Sequence, residues 1–397
     1  MPSESGQAYV YEAVRTPRGR VRRDGGTLAG VPAYDLLAGL LRELGDRGVP
    51  PEAVDDVVMG VATVVGEQAG DLARIAVMRA GWPDDRPAGI VSRMCCSGLD
   101  AVASGSAQVR AGMADLVVVG GAESMSRVPM LSDRPAFALE EELGDATGFV
   151  TIGVSADLTA HKHGFTRTDL DAFAVRSHTR AAAAAWDCVV PVLVDGEVVL
   201  ATDEGARADT TLESLAAMAP LFGEDPLWAR VEARFPGLTR PEVGLHTVAT
   251  APQMCDGASA AVIGSAAAAE ILDAAPRARI ASWAHTAVRS PGLDGTVAAA
   301  RLALRRAGIG VEDLAVAELN ESFSVTPLLL MRELGLPDVI VNVHGGAVAL
   351  GHPLGASGGI LLAHATELLQ RRGGGWGLLV IPAALGVSMA VVIEGLG

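Results

Sequence analysis

The feature that most constrains this chain is a repeated alternation between short apolar runs and helical runs of small residues. Near the start, AYVYEAV reads as a strand. Pro32 to Leu44 then spaces Leu36, Leu37, Leu40, Leu41 and Leu44 along one helical face. DDVVMGVAT, GIVSRM and DLVVVGG read as buried strands, interleaved with helices over Gly70–Ala80 and Ser97–Met113. The C-terminal part repeats the pattern. RARIASWA, VEDLAVAEL and VIVNVHGG alternate with helices over Val297–Ala307, Ser322–Leu334 and Gly358–Arg372, and GLLVIPAAL and VSMAVVIEG close the chain as strands. Such alternation predicts an α/β fold of βαβ units on a parallel-rich sheet. The two ends also echo each other: LRELGDRGVPPEAVDDVVMG resembles LRRAGIGVEDLAVAEL, each a helix end, a glycine turn, an acidic stretch and a buried strand. This points to an internal duplication.

With 397 residues the chain is too long for one simple core and fits two or three domains. Half of it is hydrophobic and 20% is charged, enough for a large buried core. The formal charge of -16 argues against general nucleic-acid binding, which needs a cationic face. Lys162 is the only lysine. Cys95, Cys96, Cys188 and Cys255 have no zinc-finger spacing and no secretory disulfide framework, so no metal is expected. The N-terminal residues lack an apolar signal core. The uncharged run Gly377–Ile393 contains Pro382 and reads as buried strands, not a membrane span. A reducing cytoplasm is the expected location. Between roughly Glu123 and Gly244 the chain is richer in charge and irregular, as in LSDRPAFALEEELGDATG, and reads as an insertion able to form a lid.

Three places carry chemistry. In VSRMCCSGLDA, Cys95 lies where a strand gives way to a helix. A thiol at a helix N-terminus feels the positive end of the macrodipole, which can lower its pKa from about 8.5 to roughly 3.5–7.5. In ELNESF, Asn320 lies where a buried strand meets a helix, and its amide can orient a water or donate to an oxyanion. In HGGAVALGHPLGASGG, His352 precedes a glycine-rich turn into a helix, and imidazole is the natural base for a thiol. Each alone has a common structural explanation: a buried cysteine, a helix cap, a structural histidine.

Together the segments resemble the thiolase family over nearly the whole chain. AVRTPRGR resembles the family's start, and CCSG fits its nucleophile motif. GGAESMSRVPM, Gly120 to Met130, is close to verbatim. NESF fits the Asn-Glu-Ala-Phe motif and GHPLGASG the histidine motif. The resemblance implies two duplicated βαβαβ-type halves in an α-β-α-β-α layering with an inserted loop domain. The corresponding boundaries are 1–121 with 245–272 for the first half, 122–244 for the loop domain and 273–397 for the second half. It implies an acyltransferase with Cys95 as nucleophile, His352 as its activator, and Asn320 with His352 binding the thioester oxygen of the second substrate. Arg207, Gly351 and Ser357 would contact CoA. No cofactor is implied beyond the CoA thioester as substrate, and the expected assembly is a homodimer or homotetramer, with no nucleic acid or membrane partner.

The pattern breaks near the end. Thiolases carry a second cysteine in a Cys-x-Gly motif that serves as acid and base. Here the stretch is GLLVIPAALG, and counting back from Gly386 places Val380 at the cysteine and Pro382 at the glycine. Valine transfers no proton and proline has no N–H to donate. Losing an oxyanion donor typically costs about 3–4 kcal/mol. A slip of one residue would let the Ala383 N–H serve instead. Ser92, Thr151, Pro252, Cys255 and the LDGTV loop also depart from the family's usual residues. Three readings follow. One is a carbon–carbon acyltransferase between thioesters with an altered base. Another is an acyl-Cys95 enzyme delivering to an amine, alcohol, carrier protein or water. The third is a non-catalytic CoA-binding subunit, which intact Cys95, Asn320 and His352 argue against.

Overall fold

The structure, a computed structural model, describes residues 6–23, 25–238 and 240–397. In chain order its strands are β1 (Tyr9–Arg15), β2 (Gly19–Arg20), β3 (Asp56–Gly60), β4 (Ala88–Val91), β5 (Leu116–Ser124), β6 (Val192–Val194), β7 (Glu197–Leu200), β8 (Cys255–Gly264), β9 (Ala278–Ala287), β10 (Leu314–Leu319), β11 (Gly375–Pro382) and β12 (Val387–Gly395). Among the described residues they form one mixed sheet, ordered β10-β11-β12-β9-β1-β8-β5-β3-β4 with β2 beside β8, and a separate β6–β7 hairpin. Strands β4, β3 and β5 run parallel, as do β10 and β11, and the remaining pairs are antiparallel. The two parts of the sheet join where β1 pairs with β9, Tyr9 and Val10 facing Arg279 and Ala278.

The side-chain period of a strand sorts its residues into layers. Along β5, Val117 and Val119 join a core shared with helices Ser97–Arg110 and Ser357–Arg371, while Leu116 and Val118 join a core under helix Ala33–Asp46. Along β11, Leu379 and Ile381 enter that same shared core, and Leu378 and Val380 enter a third core with Leu304 and Leu329. The order is therefore helix, sheet, central helices, sheet, helix. Helix Ser357–Arg371 is buried at every position from Ser357 to Leu369, as a helix enclosed on all sides must be.

The echo between the two ends has a shared geometry. Helix Ala33–Asp46 leads through the 3-10 turn Pro51–Ala53 into β3, and helix Gly295–Ala307 leads through the 3-10 turn Val311–Asp313 into β10. The uncharged run Gly377–Ile393 is β11, a turn and most of β12.

Three readings of local structure change. The central segment is more regular than its composition implies: helices Ile152–Lys162 and Arg167–Ala182 pack there, the second opened by a reciprocal Thr166–Asp169 capping box. VIVNVHGG is not a strand. It holds a 3-10 turn, Asp338–Ile340, and one bridge from Val341 to Ala317. Asn342 then turns left-handed, and its amide accepts from Leu319 N–H and donates to Leu319 C=O, both at 2.8 Å, taking the place of a ladder pair. GIVSRM leaves the sheet at Val91, before Cys95.

Candidate active site

Two loops make the site, and helix contact brings them together. One precedes helix Ser97–Arg110 and carries Cys95. The other precedes helix Ser357–Arg371 and carries His352. The helices touch backbone to backbone at their N-terminal ends: a Cβ on Gly98 would lie 2.7 Å from Gly355 O, and one on Gly358 would lie 2.0 Å from Leu99 N. Only glycine at both positions allows this approach. Glu123 then clips the loops to β3. Its buried carboxylate accepts from the N–H groups of Ala62 (2.9 Å), Thr63 (3.0 Å) and Gly355 (2.9 Å) and from the Gln68 amide (2.7 Å). Burial raises its pKa, against the pull of these four donors. Sequence reasoning quoted Glu123 within GGAESMSRVPM without giving it work. An acid directly after seven apolar and glycine positions of a buried strand was the available signal.

The turn before Cys95 is tight. Met94 has φ 50, and Ser97 Oγ accepts from Arg93 N–H at 2.9 Å and donates to Met94 C=O at 2.5 Å. Cys95 is left half-buried, while Cys96 turns inward with its thiol 3.4 Å from Ile381 C=O. The helix terminus does not produce an acidic thiol. Burial, and then the charge of Glu123, push Cys95 up to about 12. This corrects the expectation of a lowered pKa: desolvation outweighs the helix end, and no cation faces the sulfur.

His352 shares a cavity with Cys95. Its Nδ1 is 2.6 Å from Ser357 Oγ, and its buried Nε2 has no partner. Nδ1–H donating to Ser357 leaves the Nε2 lone pair without a hydrogen-bond partner. Burial, and then Arg18, push His352 down to about 3, so the imidazole is neutral at ordinary pH. The resting pair is thus thiol and neutral imidazole. Alkylation of Cys95 by iodoacetamide should therefore rise about tenfold per pH unit from pH 7 to 10 with no plateau, because the thiolate fraction grows until the pKa is passed. A plateau near pH 6–7 would indicate a thiolate–imidazolium pair instead.

Other sequence-derived sites move. Asn320 does not line the cavity. It is buried, donates to Ser322 Oγ at 2.6 Å and borders a small internal void with Arg18, Glu318 and His364; Ser322 and Phe323 line the cavity in its place. Ser357 positions His352. Gly351 also lies behind the wall: its carbonyl accepts from Arg18 at 3.2 Å, its φ is 100, and a Cβ there would meet Cys255 Sγ at 2.6 Å. Arg207 is exposed, with its N–H bonded to His178 Nδ1 at 3.2 Å, and does not line the cavity. Thr151 and Pro252 are wall residues, whereas Cys255 is buried in β8.

The stretch that replaces the family's Cys-x-Gly motif divides between core and cavity. Val380 is fully buried in the outer core with Leu319 and Leu329 and reaches no cavity. Pro382 and Ala384 line the cavity beside Cys95 and His352. β11 ends at Pro382, and the chain then turns through Ala384–Gly386 with Leu385 at φ 58. The Ala383 N–H is not free for an oxyanion, since it donates to Val387 C=O at 2.7 Å. Ala384 opens the following turn, where first N–H groups lack a partner within the turn.

Comparison with known proteins agrees with this geometry. The family models for the thiolase N-terminal and C-terminal domains match residues 8–227 and 274–395. A beta-ketoadipyl-CoA thiolase of Escherichia coli is 36% identical, with 98% of this chain and 99% of that protein aligned. A 3-ketoacyl-CoA thiolase of Pseudoalteromonas translucida is 35% identical over 97% and 98%. The crystal structure of human mitochondrial 3-ketoacyl-CoA thiolase superposes with a TM-score of 0.87 at 31% identity, covering 100% of both chains. A chain that matches both domain models and superposes along its whole length belongs to the thiolase family of acyl-CoA acyltransferases.

Proposed function

We propose that this protein carries its acyl group as a thioester on Cys95 and transfers it between thioesters. His352 Nε2 takes the thiol proton as sulfur attacks the thioester carbonyl, and returns it to the departing CoA sulfur. The N–H groups of Cys95 and Ala384 are the candidate donors to the tetrahedral oxyanion. No cofactor enters this scheme; the CoA thioester is substrate. The observation that carries the reading is that Cys95 and a neutral His352 with a free Nε2 line one cavity. The test is intact mass after exposure to acyl-CoA, followed by peptide mapping. One acyl group on Cys95 is expected. Acylation of Cys96 or Cys255, or none with any acyl-CoA tried, would end the proposal.

The acid–base step of carbon–carbon chemistry is altered in this reading. Among the described residues, the only titratable one lining the cavity apart from Cys95 and His352 is the exposed Asp133, and Pro382 occupies the wall. That observation favours a second reading, in which acyl-Cys95 gives its acyl group to an amine, alcohol, carrier protein or water. For the polypeptide itself the division remains two halves, 1–121 with 245–272 and 273–397, around a covering domain 122–244. A homo-oligomer is proposed as well. Edge strand β4 is half-exposed along its whole length and leads directly into exposed Ser92 and Arg93 beside the site, and such edges are normally covered. Light scattering at micromolar concentration should give at least a dimer mass; a clean monomer would contradict it. Among the described residues no helix is long and apolar enough to cross a membrane.

A further inference from the structure

The cavity above Cys95 has a volume of about 480 Å³, and away from the reacting groups its walls include Met125, Met130, Phe137, Phe149, Phe222 and Phe323. The rings hold one another in place. Phe137 and Phe149 lie 4.9 Å apart at 55°, and Phe222 meets Phe323 edge-on at 5.8 Å. Gly153 leaves the space that Phe222 fills, since a Cβ there would come within 2.2 Å of the ring. Pre-set aromatic walls favour apolar matter through area and shape.

No lysine or arginine is among the lining residues, and the only acid is Asp133. Arg134, between Asp133 and Pro135, is exposed and is not a lining residue, and two cations further off are paired. Arg230, behind Phe149, donates to the Phe149 carbonyl and pairs with Asp145, and Lys162 pairs with Asp294 at 2.6 Å. Resting on acyl transfer at Cys95, we propose that the acyl group this site takes is uncharged and apolar, an alkyl or aryl-ended chain, and that chains ending in a carboxylate are rejected. A terminal carboxylate here would shed its water with no cation among the lining residues to meet, and Asp133 would repel it.

Hexanoyl-CoA and adipyl-CoA test this directly, because they share the CoA arm and the chain length and differ only in a terminal methyl or carboxylate. The kcat/KM for acyl-Cys95 formation, followed by intact mass, should favour hexanoyl-CoA on the order of a hundredfold. Equal rates, or a preference for adipyl-CoA, would overturn the proposal. Asp133→Arg, at an exposed position, should narrow the ratio about tenfold by replacing a repulsive charge with an attractive one. Titration calorimetry on Cys95→Ala separates the pocket from the chemistry. Tighter binding of hexanoyl-CoA there supports the pocket assignment even if neither thioester labels the wild type, a result that would reject acyl transfer alone. Equal affinities on Cys95→Ala would reject the pocket assignment.

Discussion

Replacing Pro382 with cysteine is expected to raise thiolysis of a neutral 3-oxoacyl-CoA such as 3-oxooctanoyl-CoA by about a hundred- to ten-thousand-fold, the usual contribution of a positioned acid–base group. Pro382 closes β11 opposite Ser388 and lines the cavity with Cys95 and His352. A thiol at that position would face the same space. It could take a proton from the α-carbon of the second substrate in one direction and return it in the other. Val380→Cys is the control, and it should add nothing, because residue 380 faces Leu319 and Leu329 in the outer core. Steady-state thiolysis of the three proteins decides the matter. If wild type already turns over at rates typical of the family and Pro382→Cys gains nothing, another base is at work. If Val380→Cys gains and Pro382→Cys does not, the register assigned to β11 is wrong.

Glu123→Ala is expected to destabilise the fold by about 3–5 kcal/mol, the usual cost of breaking a buried, fully satisfied charged group. Four donors would lose their acceptor at once: Ala62, Thr63, Gly355 and Gln68. Glu123→Gln keeps the volume but offers one acceptor oxygen and an NH2 that points at donors, so it should recover only part of the loss. The same clip ties the Gly355 end of the histidine loop to the end of β3, so Cys95 acylation should slow in both variants even at temperatures where they remain folded. Denaturant unfolding measures the stability change. A midpoint for Glu123→Ala within error of wild type would remove Glu123 from the account.

Much of the architecture was legible because it rests on local rules. The Leu36–Leu44 stripe, the apolar runs of β3 and β5 and the Gly377–Ile393 run each have a single period, and period alone decides whether a segment buries a helical stripe or a strand face. The recurrence of helix, turn and buried strand at residues 41–60 and 304–319 is a property of sequence and survives as a shared geometry. The order of Cys95, Asn320 and His352 along the chain was likewise visible, since each lies where an apolar run meets a glycine-rich or helical segment.

What a residue faces is a different quantity. The face of β11 that meets the cavity depends on where the strand leaves the sheet: Val380 joins the outer core, and Pro382, two residues on, lines the cavity. The Cys95 thiol was expected to be acidic from its helix terminus. Its high pKa comes from burial and from Glu123, which is 28 positions away in sequence. The partners of Asn320 and Ser357 were hidden for the same reason: Ser322 takes the Asn320 amide, and the turn of the second helix brings Ser357 to His352. Sequence by itself determined the elements, their repetition and the chemistry available, because backbone period and side-chain type are local. Only the tertiary structure decided which groups meet, how dry their surroundings are and which wall lacks a proton donor, because solvation and distance belong to residues packed together from far along the chain.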